Sequence, residues 1–409
     1  NPIYVASSGT SLILGTTSGF TVSGGILGTG NLTLRNNAGS NNALQIVITQ
    51  INNTGTISNT GTGGNVNIAA AIGSNVTGIT ENSSGWLTIG GAITPASTLT
   101  LTNNNSTSTA LLYITGGFSG SGNLILNNNS SIANGITLLT ASVNNTGTIT
   151  NSGSGSSTLI SAVVGSNVTN ITENGTSSLT LSNTSNAYSG TTTITSGTLL
   201  LGAAAVIPNA SAVTVNGTLD LANYSETIGS LSGSGTIRSS TTSATPTLTV
   251  TQGADATYSG VIQNGSATSI ALTKAGASTL TLSGVNTYSG GTTISAGTLK
   301  ISGTTVKTNA SAPYSITSSP VGRTTVTVTA GTLDLNGNDL YNPLTLSGTI
   351  TNAVNLTNSS STAATSYGIV TLTSGANTTN EFSAATNKTL TIAGAVNQSS
   401  ASSPSLLVI

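Results

Sequence analysis

The sequence predicts an all-β chain wound as a right-handed parallel β-helix (β-solenoid) of about 18 coils. Three observations predict it: a composition built from strand and turn formers, internal repeats at long fixed offsets, and short apolar stretches alternating with hydroxyl residues. Gly (50), Thr (78), Ser (62) and Asn (45) make up more than half of the 409 residues. The usual surface helix formers Glu, Lys, Arg and Gln are scarce. Thr, Val and Ile favour strands, while Gly, Asn and Ser favour turns. Charge is only 4% and hydrophobic content 36%, which sets the chain apart from the charged, apolar-poor signature of disorder. Three Phe and one Trp are a thin supply for several globular cores, but thin stacked layers need fewer aromatics.

The repeats come first in chain order. Asn52-Asn-Thr-Gly-Thr-Ile57 recurs as Asn144-Asn-Thr-Gly-Thr-Ile149, and Ile79-Thr-Glu-Asn82 recurs as Ile171-Thr-Glu-Asn174, both at an offset of 92. Across 51–89 and 143–181, 22 of 39 positions are identical without a gap. Four coils of about 23 residues fit this repeat, within the solenoid range. An unbroken offset predicts that Leu32 faces inward like Leu124, and Ile57 like Ile149, because a one-residue slip would turn each side chain to the opposite face. This family spans 1–176.

A second family spans 177–409. Tyr188-Ser-Gly190 to Gly197-Thr-Leu199 returns at an offset of 100 as Tyr288-Ser-Gly290 to Gly297-Thr-Leu299. Gly-Thr-Leu-Asp-Leu at 217–221 returns at 331–335, an offset of 114, so the offset grows by 14 and an insertion of that length lies between. The segment 301–327, with Pro313, Pro320, Lys307 and Arg323, is the expected place, as a loop or partial extra coil. Within the coils, Leu32-Thr-Leu34, Leu124-Ile-Leu126, Leu179-Thr-Leu181 and Leu390-Thr-Ile392 are strand cores. Leu, Ile and Val are expected to face inward, with Thr and Ser outward and Asn at corners.

Ser278-Thr-Leu-Thr-Leu-Ser-Gly-Val-Asn-Thr-Tyr-Ser-Gly-Gly-Thr-Thr-Ile-Ser-Ala-Gly-Thr-Leu299, preceded by Tyr258-Ser-Gly-Val-Ile262 and Leu272-Thr-Lys-Ala-Gly276, resembles the autotransporter-associated β-strand repeat of bacterial type V secreted passenger domains. A degenerate copy runs from Leu179 to Leu201, and the resemblance covers about 177–237 and 257–350. It implies a right-handed β-helix, export across the outer membrane and a role at the cell surface, with no active site. Such proteins usually carry a signal peptide and a C-terminal barrel, and neither is recognisable in these residues. The longest apolar stretch, Leu199 to Ile207, is too short to span a bilayer. The chain closes on the apolar Leu406–Ile409, from which an uncapped last coil and end-to-end stacking are expected.

With no Cys or His, thiolate and imidazole metal sites and His- or Cys-based triads are excluded. Seven basic residues in 409 argue against nucleic acid as a partner. No Gly-Gly-x-Gly-x-Asp run exists for calcium, and no cofactor is expected. Among the eight carboxylates, Asp334 and Asp339, then Asp220 and Glu226, are closest in sequence. Asp220 and Asp334 recur with the repeat and are expected at outward strand positions, as structural rather than catalytic groups; Glu81 and Glu173 recur likewise. The chain is therefore expected not to be an enzyme. Tyr188, Tyr258 and Tyr288, in Tyr-Ser-Gly words, are candidate ligand contacts for glycans, set against the plainer reading that each caps a coil corner over the following Gly. Trp86, at the place of Ser178 in the other copy, is a further contact candidate. Asn-x-Ser/Thr words abound, as at Asn52, Asn75, Asn144 and Asn167, but with 140 Ser and Thr beside 45 Asn about fifteen are expected by chance, so they carry no argument for glycosylation.

Two functions follow as expectations. One is an extracellular adhesin or surface-layer passenger, a stiff rod meeting a host or neighbouring-cell ligand. The other is a structural protein that self-associates, head-to-tail or laterally, into a filament or sheath. Residues 1–180 carry only Arg35, Glu81 and Glu173, which favours packing of that half.

Overall fold

In the computed structural model the chain forms two compact units, Asn1–Val206 and Ile207–Ile409. The structure describes residues 2–14, 20–22, 24–39, 44–47, 49–105, 109–347, 354–373, 379–384, 386, 389–398 and 406–408. No helix occurs among them, and the chain makes about 16 solenoid turns, close to the 18 expected. The change of repeat family at 176/177 falls inside the first unit.

In the first unit each coil contributes strands to parallel sheets. One face stacks Leu32–Asn36, Gly55–Asn59, Val76–Glu81, Leu99–Asn103, Leu124–Asn128, Thr148–Asn151, Asn170–Glu173 and Thr192–Ile194. A second stacks Leu44–Ile46, Val66–Ile68, Leu87–Ile89, Leu112–Ile114, Ile136–Leu138, Ser157–Ile160, Ser178–Leu181 and Thr198–Leu201. A narrow third face begins as the parallel strands Ile3–Val5, Ile26–Gly28, Gln50–Ile51 and Ala71–Ile72 and continues as a column of single bridges, Ile72–Ile93–Phe118–Val143–Val164. The offset between register partners ranges from 25 (Leu32 to Ile57) down to 20 (Leu179 to Leu199).

Alternation builds the core. In Leu99–Asn103, Leu99, Leu101 and Asn103 are buried while Thr100 and Thr102 are half-buried. Each fully buried Leu or Ile contributes roughly 1.5–3 kcal/mol, repeated on every coil. Leu32, Leu124, Ile57 and Ile149 all lie in the core, as the gapless repeat requires. The pairing column nevertheless runs Leu32–Ile57–Ile79–Leu101–Leu126, so four coils give an offset of 94 rather than 92. A slip of two keeps the inward face inward, and the bulge between Val76 and Gly78 is one place where register shifts. Outside, hydroxyls reach back one coil: Thr94 Oγ1 donates to the Ile72 carbonyl (3.2 Å) and Thr169 Oγ1 to that of Gly147 (3.2 Å).

The second unit repeats this design. One sheet stacks Glu226–Ile228, Thr247–Val250, Ala271–Lys274, Thr292–Ile294, Val326–Val328, Leu344–Leu346, Val370–Leu372 and Val396–Gln398. Another stacks Ala256–Tyr258, Thr279–Leu282, Thr298–Ile301, Gly331–Asp334, Val354–Asn358, Thr379–Ala384 and Leu406–Val408. Leu272 pairs with Thr292 at an offset of 20, but Thr292 pairs with Val326 at an offset of 34. The excess of 14 is the insertion expected in 301–327. It folds as an antiparallel hairpin, Val306–Lys307 against Ile316–Ser318, with Asn309 Nδ2 donating to the Ser311 (2.8 Å) and Pro313 (2.6 Å) carbonyls. Its later part returns to the coil, where Ser319, Pro320 and Val321 are buried and Asn286 Nδ2 donates to the Pro320 carbonyl (2.7 Å). Leu406–Val408 pairs in parallel with Thr379–Glu381, whereas Ile409, the last residue of the apolar end, lies outside the described residues.

Candidate functional site

The carboxylates that recur with the repeats are corner pieces. Asn59, Glu81, Asn103 and Asn128 are register partners on successive coils, and all are buried. At four such corners the side chain that ends the strand accepts the N–H two residues on: Ser83 N–H to Glu81 (2.5 Å), Asn105 N–H to Asn103 (2.9 Å), Ser130 N–H to Asn128 (3.1 Å), Gly175 N–H to Glu173 (3.0 Å). This local bond turns the chain out of the strand. Asn59 Nδ2 donates to Glu81 Oε2 (2.8 Å) and Ser83 Oγ (2.8 Å); Asn151 Nδ2 repeats this on Glu173 Oε2 (2.7 Å) and Ser177 Oγ (2.9 Å). Burial pushes the carboxyl of Glu81 up to about 7 and that of Glu173 to about 8, against the pull of these donors.

Asp220 and Asp334 are not outward, as expected from sequence, but buried. The reason is the same corner bond: Asp220 Oδ1 accepts from Ala222 N–H (3.0 Å) and Ser240 N–H (2.9 Å), and Asp334 Oδ1 from Asn336 N–H (2.9 Å) and Ser359 N–H (3.0 Å). Each meets a cation on a paired strand, Arg238 at 3.3 Å and Lys300 at 3.5 Å. The described residues contain no group of three or more acidic residues able to hold a metal ion.

The three candidate tyrosines are interior. Tyr188, Tyr258 and Tyr288 are at most 2% exposed, which removes them as contacts for a ligand at the surface. Tyr188 Oη bonds Thr192 Oγ1 (2.6 Å), Tyr288 Oη bonds Thr292 Oγ1 (2.6 Å), and Tyr258 Oη donates to the Gly235 carbonyl (2.9 Å). A Cβ on Gly260 would lie 2.6 Å from Tyr258 Oη, and one on Gly322 2.7 Å from the Tyr288 ring, so glycine makes room for these rings. Burial drives the Tyr258 and Tyr288 hydroxyls above their ordinary range. Trp86 is half-buried, its ring 5.7 Å from that of Tyr113 on the next coil and tilted by 39°.

A second aromatic group, absent from the sequence reading, lies in the second unit. The bridge Leu340–Ser366 sets Tyr341 over Tyr367, ring on ring at 4.7 Å with planes 4° apart. Tyr314, from the inserted hairpin, stands edge-on to Tyr341 at 5.0 Å and to Tyr367 at 6.2 Å. Lys307 Nζ sits 3.7 Å from the Tyr341 centroid, 4.6 Å from Tyr314 and 5.9 Å from Tyr367. Three rings around one ammonium clasp the hairpin to the coils. All four side chains are half-buried.

The model of one family, the passenger-associated-transport-repeat, matches residues 171–201 and 272–301. The chain carries two passenger-associated transport repeats. Each occupies four strands: Asn170–Glu173, Ser178–Leu181, Thr192–Ile194 and Thr198–Leu201 in the first, Ala271–Lys274, Thr279–Leu282, Thr292–Ile294 and Thr298–Ile301 in the second. The transport repeats share a buried hydroxyl bond from Tyr to the Thr four positions on, Tyr188 to Thr192 and Tyr288 to Thr292. They differ at the corner, where the first has Glu173 and the second Lys274. Lys274 Nζ donates to the carbonyls of Ala275 (2.8 Å), Gly276 (2.9 Å) and Ala296 (3.0 Å), and burial lowers its ammonium to about 8, opposed by Asp255. With the stacked parallel coils, the transport repeats support an autotransporter passenger domain. No curated protein and no solved structure matches the chain.

Proposed function

We propose that the chain is the displayed, non-catalytic part of an exported cell-surface protein, an adhesin-type passenger whose coils hold a binding surface toward a host or neighbouring cell. The transport repeats support export to the surface. The observation that carries the binding role is the Tyr314–Tyr341–Tyr367–Lys307 group, where an insertion departs from the coil plan and gathers aromatic side chains at the surface. Aromatic side chains concentrated on an irregular segment of a regular scaffold are characteristic of recognition surfaces. The buried Asp220 and Asp334, each committed to a corner bond and an ion pair, favour structure over catalysis.

The test is attachment of the fluorescently labelled 409-residue chain to cultured animal cells and to bacteria. Saturable attachment is expected, and replacing residues 306–318 with a short Gly-Ser turn should remove most of it. Asp220→Asn and Asp334→Asn should lower stability and leave attachment intact. Undiminished attachment without the hairpin would overturn the reading.

A second reading, lateral association of copies, is favoured by one finding. Of the three charged side chains in residues 1–206, Glu81 and Glu173 are buried, and Arg35 is left outside. Few charges then oppose contact between copies. Sedimentation velocity across micromolar concentrations should show concentration-dependent association, abolished by adding lysines at outward Thr100 and Thr102; a monomer throughout would sink it.

A further inference from the structure

We infer that one face of the second unit binds ice, a role separate from that of the hairpin. The face is the outward side of the sheet that begins with Glu226–Ile228 and includes Val370–Leu372. At the centre of its strands Thr227, Thr249, Thr273, Thr293, Thr327, Thr345 and Thr371 are register partners on seven successive coils. The insertion lies between Thr293 and Thr327, yet the two still pair, so the added residues leave the column unbroken. The same Thr-rich composition builds mixed columns elsewhere. Thr100 is followed by Ile125 and Thr150 in the first unit, and Thr332 by Asn355 and Glu381 on the neighbouring sheet of the second.

The seven threonines are half-buried, and among the described residues none of their hydroxyls has a partner within the chain or is sealed from solvent. The row two residues on is already committed. Thr251 Oγ1 donates to the Ile228 carbonyl (2.9 Å), and the hydroxyls of Ser295, Thr329 and Thr373 donate to those of Lys274, Ile294 and Leu346 (3.2 Å each). A row of free hydroxyls therefore stands beside a row of fixed side chains. Sheet geometry sets the grid, about 4.8 Å from coil to coil and about 6.6 Å between alternate residues of a strand, and the free row is about 30 Å long. Ice presents water oxygens in rows that repeat at close to both distances. Charge complementarity points the same way. From two residues before each column threonine to two after it, no outward side chain is charged, which suits a neutral lattice. None is aromatic either, so a sugar ring finds no flat apolar face there. Exchanging liquid for lattice water at one hydroxyl changes little free energy. Binding therefore comes from number and from preorganisation, since threonine is stiff at χ1 and the sheet already holds the rows in place.

The test grows ice slowly from a dilute solution of the intact, fluorescently labelled chain and measures the share of label taken into the ice. The wild type should be taken up and should separate the freezing point from the melting point. Thr273→Lys with Thr327→Lys sets a hydrated cation at two places in the row and should cut uptake about tenfold with the circular dichroism unchanged. Thr332→Lys, the same charge on the neighbouring sheet, should leave uptake as it was. Should the double variant misfold, Thr293→Tyr at the middle of the row should give the same loss by bulk alone. Exclusion of the wild type from ice, equal uptake by the wild type and a folded column variant, or an equal loss with Thr332→Lys would overturn the inference. Exclusion from ice together with binding to suspended cellulose would overturn it in favour of a neutral polysaccharide. Exclusion together with concentration-dependent association that the column variant abolishes would overturn it in favour of a second copy. Cell attachment through the hairpin plays no part in these measurements, so either proposal can fail while the other stands.

Discussion

Glu173 and Lys274 occupy the same corner of two copies of one repeat, and the corner accepts either charge because each finds the complementary backbone group, N–H for the carboxylate and C=O for the ammonium. The acids leave a pH signature. Their folded-state values of about 7 and 8 lie above the unfolded carboxyl value near 4.5, so the folded chain binds the extra protons. The stability they contribute is full below about pH 4.5 and is lost as pH rises through 7 and 8, on the order of 3–5 kcal/mol per carboxyl. Asn59 Oδ1 and Asn151 Oδ1 have no hydrogen-bond partner, and rotating either amide would offer that oxygen to a protonated acid. Glu81→Gln with Glu173→Gln imitates the protonated pair. Urea midpoints from pH 5 to 7.5, below the titration of Lys274, should fall for the wild type and stay nearly level for the double variant; parallel curves would contradict the assignment. Sequence reading recognised both acids as repeat-bound but placed Asp220 and Asp334 outside. Strict alternation within Thr-Leu-Asp-Leu puts Asp opposite Leu, and only the corner bond, invisible to periodicity, turns it inward.

The inserted hairpin was legible in length and place, since a change of offset from 100 to 114 measures an insertion directly. Its aromatic clasp was not read, although a signal existed. Tyr341-Asn-Pro-Leu-Thr-Leu346 and Tyr367-Gly-Ile-Val-Thr-Leu372 stand at an offset of 26, the same as the register partners Leu344 and Val370. Equal spacing of word and coil puts the second ring directly over the first. Tyr314 and Lys307 carry no such periodicity, because an antiparallel hairpin outside the stack obeys its own turn geometry. Lys307→Gln removes the cation and keeps much of the length. Faster amide exchange is expected at Val306–Lys307 and Ile316–Ser318, with global stability within about 0.5 kcal/mol of wild type, as for a local surface change. Unchanged exchange would mean that the clasp does not hold the hairpin.

At the scale of the molecule, nearest-neighbour stacking makes the four-coil repeat removable. Deleting residues 52–143 joins Ile51 to Asn144, whose surroundings Asn144-Asn-Thr-Gly-Thr-Ile149 reproduce those of Asn52. The shortened chain should stay soluble and β-folded, with a urea m-value reduced in proportion to the surface removed. Deleting 52–142 instead leaves one residue too many, would turn every following side chain to the other face and should yield aggregate; equal behaviour of the two deletions would refute the register account. Fold class was legible because composition, period and offset agree at Leu32, Ile57 and their copies, each held to the core by a repeating interval. The slip by two in the pairing columns was not, because sequence identity records duplication whereas hydrogen bonding records height along the stack. The inward burial of Glu81 and Glu173 has one more consequence. Both acidic side chains of residues 1–206 are interior, so no side-chain carboxyl stands on the outside of the first unit. Proton uptake at the side-chain carboxyls of this unit is therefore a gauge of its interior alone, readable without a label from the carboxyl infrared bands.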